Sequence, residues 1–411
     1  MTQCSLYTIR QKFDRPQCSD IEATVAAQIR GVGISLQPGA KIAVGVGSRG
    51  IANIVAIVKT TISCLKDAGA EPFIVPAMGS HGGATADGQT RVLAHLGITE
   101  AAVGAPIRSS MDTVTMPGHD LTNAIYCDRL AAEADGIVLV NRIKVHTSFH
   151  GDFESGLAKM AVIGLGKHAG ALEIHSFGVM GLRNFIPATF RAILATGRIL
   201  FGLGIIENAY DETAFIEAVP AALLLEREPR LLDIARKNMP KLPVNDIDVL
   251  IVDRLGKEIS GVGMDPNIIG RIRIAGQPEP VSPKIRNIMV SNLSKNTYGN
   301  ALGIGLADVI TRKLFNAIDF KAMYVNASTS LFLERVKVPF VAESDAEAYT
   351  LALAASGTIE PGTERIVRIK DTLHLGTVQV SSAVLEEIRE HVDLLDKAEP
   401  VFDANGALKP I

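Results

Sequence analysis

Three short apolar runs constrain this chain most, because each ends in a loop rich in glycine or polar residues and helical patterning separates them. Lys41–Val46 (KIAVGV) reads as a buried strand running into Gly47, Ser48, Arg49 and Gly50. Residues 51–67 carry Ile51, Ile54, Val55, Val58, Ile62 and Leu65 at helical spacing and stop before Gly69. Residues 73–77 form a second strand, which leads into the loop GSHGGAT at 79–85. A strand, helix, strand order implies a parallel pair joined by a right-handed crossover. Both loops therefore leave the same carboxyl edge, where open α/β sheets bind ligands. A helix over 86–96, a short strand near 124–127, a brief helix over 128–134 and an all-apolar strand over 136–143 follow, and the last supplies a third loop to that edge.

The third loop opens the stretch RIKVHTSFHGDFESGLAKMAVIGLGKHAGALEIHS. It holds His146, His150, His168 and His175, out of 9 histidines in the chain, together with Lys144, Lys159 and Lys167. Histidine suits proton transfer near neutral pH and is the commonest metal ligand. A lysine in apolar surroundings can lose its proton and become a nucleophile or covalent anchor. Gly164, Gly166 and Gly170 interrupt the run after Lys159, so Lys159 and His175 are expected on two elements folded against one another, not on one helical face. A single histidine in an apolar segment is ordinarily a hydrogen-bonded core or surface residue, and the clustering is what raises these above that reading. Arg49 and His81 join them as candidates from the first two loops, Arg49 through a planar fork suited to a carboxylate or phosphate. Neither GxGxxG nor GxxxxGK[ST] occurs there.

Beyond this stretch the pattern over 179–237 reads as helical, with breaks at Gly197, Gly202 and Pro220. The polar MPKLPVN at 239–245 marks a boundary, dividing the chain into domains over 1–240 and 241–411. After it come strands over 248–253 and 287–293, a helix near 306–318, a strand at 322–325, and a closing strand, strand, amphipathic helix. Two loops at 256–271 and 294–308 bear Asp265, Asn267, Arg271, Lys295, Asn300 and Asp308, for each of which turn chemistry is the simpler reading.

A chain of 411 residues suits two domains, and 47% apolar content with 21% charged residues and a formal charge of -3 fits a globular protein that attracts neither nucleic acid nor anionic lipid. Cys4, Cys18, Cys64 and Cys127 follow no metal-ligand spacing and fit a reducing compartment. The start of the chain lacks the basic and apolar regions of a signal peptide, and no apolar run is long enough to span a membrane. The expected location is cytoplasmic.

Taken in order, Ser48-Arg49, Gly79-Ser80-His81, His146, Ser155-Gly156-x-x-Lys159 and His175 resemble the motifs of the nickel-dependent lactate racemase family and its uncharacterised relatives. The resemblance covers most of the chain. It implies two α/β domains with parallel-rich sheets and the active site in the cleft between them. It further implies racemisation or epimerisation of a 2-hydroxy acid at C2 by reversible hydride transfer to a nickel-pincer nucleotide, a pyridinium mononucleotide holding nickel through carbon and sulfur. On that pattern Lys159 is the covalent anchor, His175 completes the nickel coordination, and His81 and His146 are the acid/base pair. Ser48 contacts the cofactor and Arg49 the substrate. The cofactor-synthesis enzymes are implied partners, and the pattern leaves room for a homo-oligomer.

This chain departs from the family in having Val46 where an acidic residue stands three before the arginine, and Gly50 where a proline follows it. The segment from His146 to Lys159 is longer, which makes His150 a rival to His146. These departures, with the polar loops at 256–271 and 294–308, point to a polyhydroxylated or otherwise larger 2-hydroxy acid. Two other readings use the same residues: a hydrolase with zinc held by His81, His146, His150 and His175, and a metabolite-binding relative without catalysis.

Overall fold

The computed structural model describes residues 4–117, 121–357 and 360–411. Its architecture is α/β, in two units. Asp14–Met239 forms one; Pro240–Ile411, together with the N-terminal residues through Phe13, forms the other.

The strands are β1 (Ser5–Gln11), β2 (Lys41–Val46), β3 (Glu71–Pro76), β4 (Thr113–Met116), β5 (Ile125–Asp128), β6 (Gly136–Arg142), β7 (Ile199–Glu207) and β8 (Thr213–Pro220). They continue with β9 (Asp246–Leu255), β10 (Lys284–Leu293), β11 (Val309–Thr311), β12 (Phe340–Ala342), β13 (Ile366–Ile369), β14 (Thr377–Val380) and β15 (Val392–Pro400).

In the unit Asp14–Met239 the main sheet has the order β3-β2-β6-β7-β8. Its first four strands are parallel and β8 returns antiparallel. Val46 at the end of β2 is in register with both Pro76 and Val140, so β2, β3 and β6 deliver their loops at one level of the carboxyl edge. Ile42, Val44, Val138 and Val140 pack with Ile57, Val58 and Leu65 of the helix Ile54–Asp67, which buries one face as its apolar spacing requires.

Residues 179–237 are not helical throughout. Between the helices Ile186–Ala195 and Leu224–Lys237 the chain forms the antiparallel pair β7 and β8. Gly202, which reads as a helix break, and Gly204 are strand residues against which other parts of the chain pack closely. A Cβ on Gly202 would come within 2.6 Å of Leu157, and one on Gly204 within 2.7 Å of Ile143. Both neighbours flank the loop and turn that carry His146 and Lys159.

The second unit is built on an eight-stranded sheet, order β12-β11-β10-β9-β13-β14-β1-β15. From β12 to β13 it is parallel, and the remaining pairs are antiparallel. Strand β1 enters this sheet from the N-terminus, so the unit is not one continuous stretch of chain. The expected helix near 306–318 is instead strand β11 followed by the helix Arg312–Asn316. The expected strand at 322–325 lies inside the helix Phe320–Ser330, whose start is fixed by Asp319 accepting the Ala322 N–H. Among the described residues no helix is long and apolar enough to cross a membrane.

Candidate functional site

The first two loops meet through side chains. After β2, the Ser48 hydroxyl hydrogen-bonds Nδ1 of His81, which follows β3. The second loop is held from beneath by Gln89, buried in the helix Ala86–His95, whose amide donates to the carbonyls of Gly79 (2.8 Å) and His81 (3.2 Å). Gly79 adopts φ 61°, a left-handed conformation natural to glycine, and its N–H donates to Gly164 O at 3.1 Å.

Lys167 secures the same loop. Its wholly buried amine donates to Pro76 O at 2.6 Å and Gln89 Oε1 at 3.1 Å. It also stands 2.9 Å from Oδ2 of the equally buried Asp128. That oxygen has no well-aligned hydrogen bond among the described residues, so its link to Lys167 is electrostatic. Burial pulls the Lys167 amine below its usual range, and Asp128 partly restores it. With all its contacts spent on the scaffold, Lys167 is a structural lysine.

The third loop leaves β6 and is pinched where Lys144 and Ser155 exchange backbone hydrogen bonds of 2.8 and 3.2 Å. Inside it the buried carboxylate of Glu154 accepts from the N–H of His146 (2.6 Å) and of Gly151 (3.3 Å), and from Arg236 Nη2 (3.1 Å). His150, exposed, lies 3.3 Å from the same carboxylate through Nδ1.

His146 is directed elsewhere. Its ring rests against Phe149, with centroids 4.5 Å apart. Nδ1 accepts the Ser148 N–H at 3.1 Å, while Nε2 lies 2.7 Å from Nζ of Lys159. With Nδ1 an acceptor, the proton of the neutral ring is on Nε2, and Nε2–H donates to the lysine. The amine in this arrangement is therefore uncharged, with its lone pair toward His146.

The surroundings of Lys159 make that state easier to reach. Burial first, then the charges of Arg49 and Lys144, lower its pKa to about 8. Lys159 ends the short helical turn Leu157–Lys159 and continues into a π-helical turn, Met160–Gly164. His175 lies in the last turn of the helix Lys167–Ser176, so the two are on separate elements with the π-helical turn between them. Burial, and the charge Lys159 carries whenever it is protonated, depress the His175 imidazole and favour its neutral, ligand-competent form. Arg49 and His168 are both solvent-exposed.

Glu228, which sequence reasoning did not single out, sits under the Lys159 turn. From the helix Leu224–Lys237 it accepts the Ala158 N–H at 3.2 and 2.9 Å, and a Cβ on Gly156 would fall 2.0 Å from its Oε1. Burial pushes its carboxyl from the ordinary 4.5 up to about 8, against the opposing pull of the Ala158 and Leu157 N–H groups. A carboxyl with a raised folded pKa holds a proton that the unfolded chain has released, so stability falls as pH rises from 4.5 to 8. Replacing Glu228 with Gln is expected to flatten that decline, as read by urea unfolding at pH 5 and pH 8. An unchanged difference between the two pH values would place Glu228 among ordinary ionised carboxylates.

Contacts of Ser48 with His81 and of His146 with Lys159 link the candidates; the charge of Arg49 reaches Lys159, and that of protonated Lys159 reaches His175. Among the described residues no three His, Cys, Asp or Glu side chains are gathered to hold a metal ion. A metal at this site would take further ligands from a bound cofactor.

The polar loops of the second unit are largely satisfied within it. Asp265 accepts the Asn267 N–H at the start of the helix Pro266–Ile269. Arg271 binds Asp308 at 2.5 Å and the carbonyls of Ile285 and Arg286, and Asn300 accepts the Leu302 N–H. Turn and packing chemistry accounts for these residues, which removes the support they lent to a large polyhydroxylated substrate.

By sequence, residues 46–242 match the model of a domain of unknown function, DUF362. No curated protein matches the chain. Among solved structures, the lactate racemase apoprotein from Thermoanaerobacterium thermosaccharolyticum is similar at TM-score 0.52 and 13% identity, over 90% of this chain and 98% of that one. A protein from Thermotoga maritima is similar at TM-score 0.50 and 12% identity, over 89% and 99% of the respective chains. At such identities the likeness establishes a shared fold, and this chain has a lactate racemase-like one.

Proposed function

We propose that this chain is a racemase or epimerase acting at C2 of a 2-hydroxy acid, with a nickel-pincer nucleotide joined to Lys159. The observation that carries this reading is the contact between Lys159 Nζ and His146 Nε2 at 2.7 Å, with the amine pKa lowered to about 8. A lysine that binds a scaffold does not need a free lone pair, whereas one that is acylated does. The residues present fit the group: Lys159 would form the covalent link, His175 would supply a neutral imidazole to nickel, and Ser48 would contact the nucleotide. When bound, the cofactor supplies a reversible hydride acceptor, chemistry no side chain offers.

The chain's own residues do the rest. With Lys159 joined to the cofactor, His146 Nε2 would be released from the amine and could take the substrate hydroxyl proton in the tautomer that carries its proton on Nδ1, in which the Ser148 N–H bond is given up. His81, held through Nδ1 by Ser48, presents Nε2 as the second acid/base. Two such groups permit a reaction that runs in both stereochemical directions. Arg49 binds the substrate carboxylate. A zinc hydrolase built on His81, His146, His150 and His175 draws no support from the geometry, since His150 is committed to Glu154 and His146 to Lys159.

Nickel-loaded protein produced alongside the cofactor-synthesis enzymes is expected to interconvert stereoisomers of at least one acid in a panel running from lactate to aldonic acids, followed by chiral chromatography. Complete inactivity of cofactor-loaded protein toward the whole panel would leave the metabolite-binding reading in its place. In the same preparation His175→Ala is expected to lower nickel content at least about tenfold, while His81→Ala and His146→Ala retain it. Equal loss of nickel in all three would assign the metal to the histidines as a group.

A further inference from the structure

The unit that contains the eight-stranded sheet has a carboxyl edge of its own, with a side-chain cluster that the reaction above does not use. From β9 the chain proceeds outward through β10, β11 and β12, and then returns on the opposite side of β9 as β13. The strand order therefore reverses between β9 and β13, and in open α/β sheets ligands bind outside the carboxyl ends of the strands at such a reversal. Arg254 is the penultimate residue of β9, and Asp371 lies just beyond the end of β13.

Asp371 is completely buried and fully engaged. Its Oδ2 accepts from Nε and Nη2 of Arg254 at 3.0 and 2.9 Å. Its Oδ1 accepts from Nδ1 of His374 at 2.7 Å and from the N–H groups of Leu373 and His374, each at 3.0 Å. Burial alone would raise this carboxyl, but the hydrogen bonds from His374 and Arg254 outweigh it and hold the group below its usual value, as the anion. The backbone bonds by themselves would close the turn after β13. They do not require the imidazole and the guanidinium, which are drawn to the same carboxylate from the loop after β13 and from β9.

Both of those side chains remain open outward. The Arg254 side chain is 37% exposed and that of His374 52%. Nη1 of Arg254 and Nε2 of His374 make no hydrogen bond among the described residues. With Nδ1 committed as a donor, Nε2 carries the ring's lone pair or, on protonation, a second outward N–H. A planar cation beside an oriented imidazole is an arrangement suited to an anionic oxygen group.

We propose that Arg254 and His374, oriented by buried Asp371, form a second ligand site, which takes the carboxylate or phosphate group of a small anionic molecule. Arg254 pairs with the anion, and His374 donates to it or exchanges a proton with it. The site lies within one unit and does not depend on the racemase reading.

The His374 ring signal in two-dimensional NMR of the full chain, assigned by its disappearance in His374→Gln, tests this. At constant pH it is expected to move saturably at millimolar inorganic phosphate or acetate, and whichever anion saturates identifies the ligand group. Sodium chloride at matched ionic strength is expected to leave it in place. Arg254→Gln is expected to raise the half-saturating concentration at least tenfold; if that variant does not fold, Arg254→Lys, which keeps the charge but loses the fork, is expected to raise it several-fold. A wild-type signal that moves with neither anion, or equally with chloride, overturns the site. So does an unchanged half-saturation in the folded Arg254 variant.

Discussion

Lys167→Met is expected to destabilise the unit Asp14–Met239 by about 3–5 kcal/mol, the usual cost of removing one partner from a buried ion pair. The side chains of Lys167 and Asp128 are both 0% exposed, so deletion of the ammonium strands an uncompensated carboxylate. It also removes the donor to Pro76 O and to Gln89 Oε1, and Gln89 is the residue that holds the carbonyls of Gly79 and His81. The damage should therefore reach the His81 loop. Urea unfolding would give the stability, and the His81 ring resonance the local effect. Covalent cofactor loading, in whatever fraction remains folded, should persist. A stable variant that fails to load would transfer the anchoring role from Lys159 to Lys167.

His146→Ala and His150→Ala should differ sharply in loaded enzyme. Loss of a positioned acid/base group costs about 10²- to 10⁴-fold in rate. That loss is expected for His146, whose Nε2 is aimed at Lys159 with Nδ1 anchored on Ser148 N–H. His150 is exposed and touches Glu154 instead, so its removal should cost turnover far less. What it loosens is the loop, where Glu154 retains the N–H groups of His146 and Gly151 and the guanidinium of Arg236. Equal kcat losses in the two variants, with nickel content unchanged, would show that the imidazole of His150 also takes part.

The legible part of the fold is the part whose period matches its environment. β2, β3 and β6 are buried on both faces and read as unbroken apolar runs. β7 is equally apolar, but Gly202 inside it resembles a helix break, because the reason for its lack of a Cβ lies in Leu157, far away in sequence. The helix Phe320–Ser330 contains the strand-like run AMYV, and what decides its conformation is one cap, Asp319. β1 pairs with β14 and β15 at the other end of the chain, a contact no local pattern announces.

The site divides in the same way. His81, His146, Lys159 and His175 stand out by residue type and by order. Glu228, Glu154 and Gln89 do not, since an isolated acid or amide in a helix or loop has the same local signature whether it faces solvent or holds a turn of the candidate site. Their partners fix the roles, and for Glu228 the partner is Ala158, 70 positions earlier. A buried carboxyl beside Gly156 becomes meaningful only when the backbone brings the two together.

The attachment of the cofactor tests the central claim most directly. The chain, produced together with the cofactor-synthesis enzymes, would be weighed intact and then mapped by peptide mass spectrometry. The account predicts a single adduct of nucleotide mass on the peptide containing Lys159, absent from Lys159→Ala, with that variant otherwise folded. An adduct on Lys144 or Lys167, or wild-type protein that carries none although the same cells load an authentic lactate racemase, would contradict it.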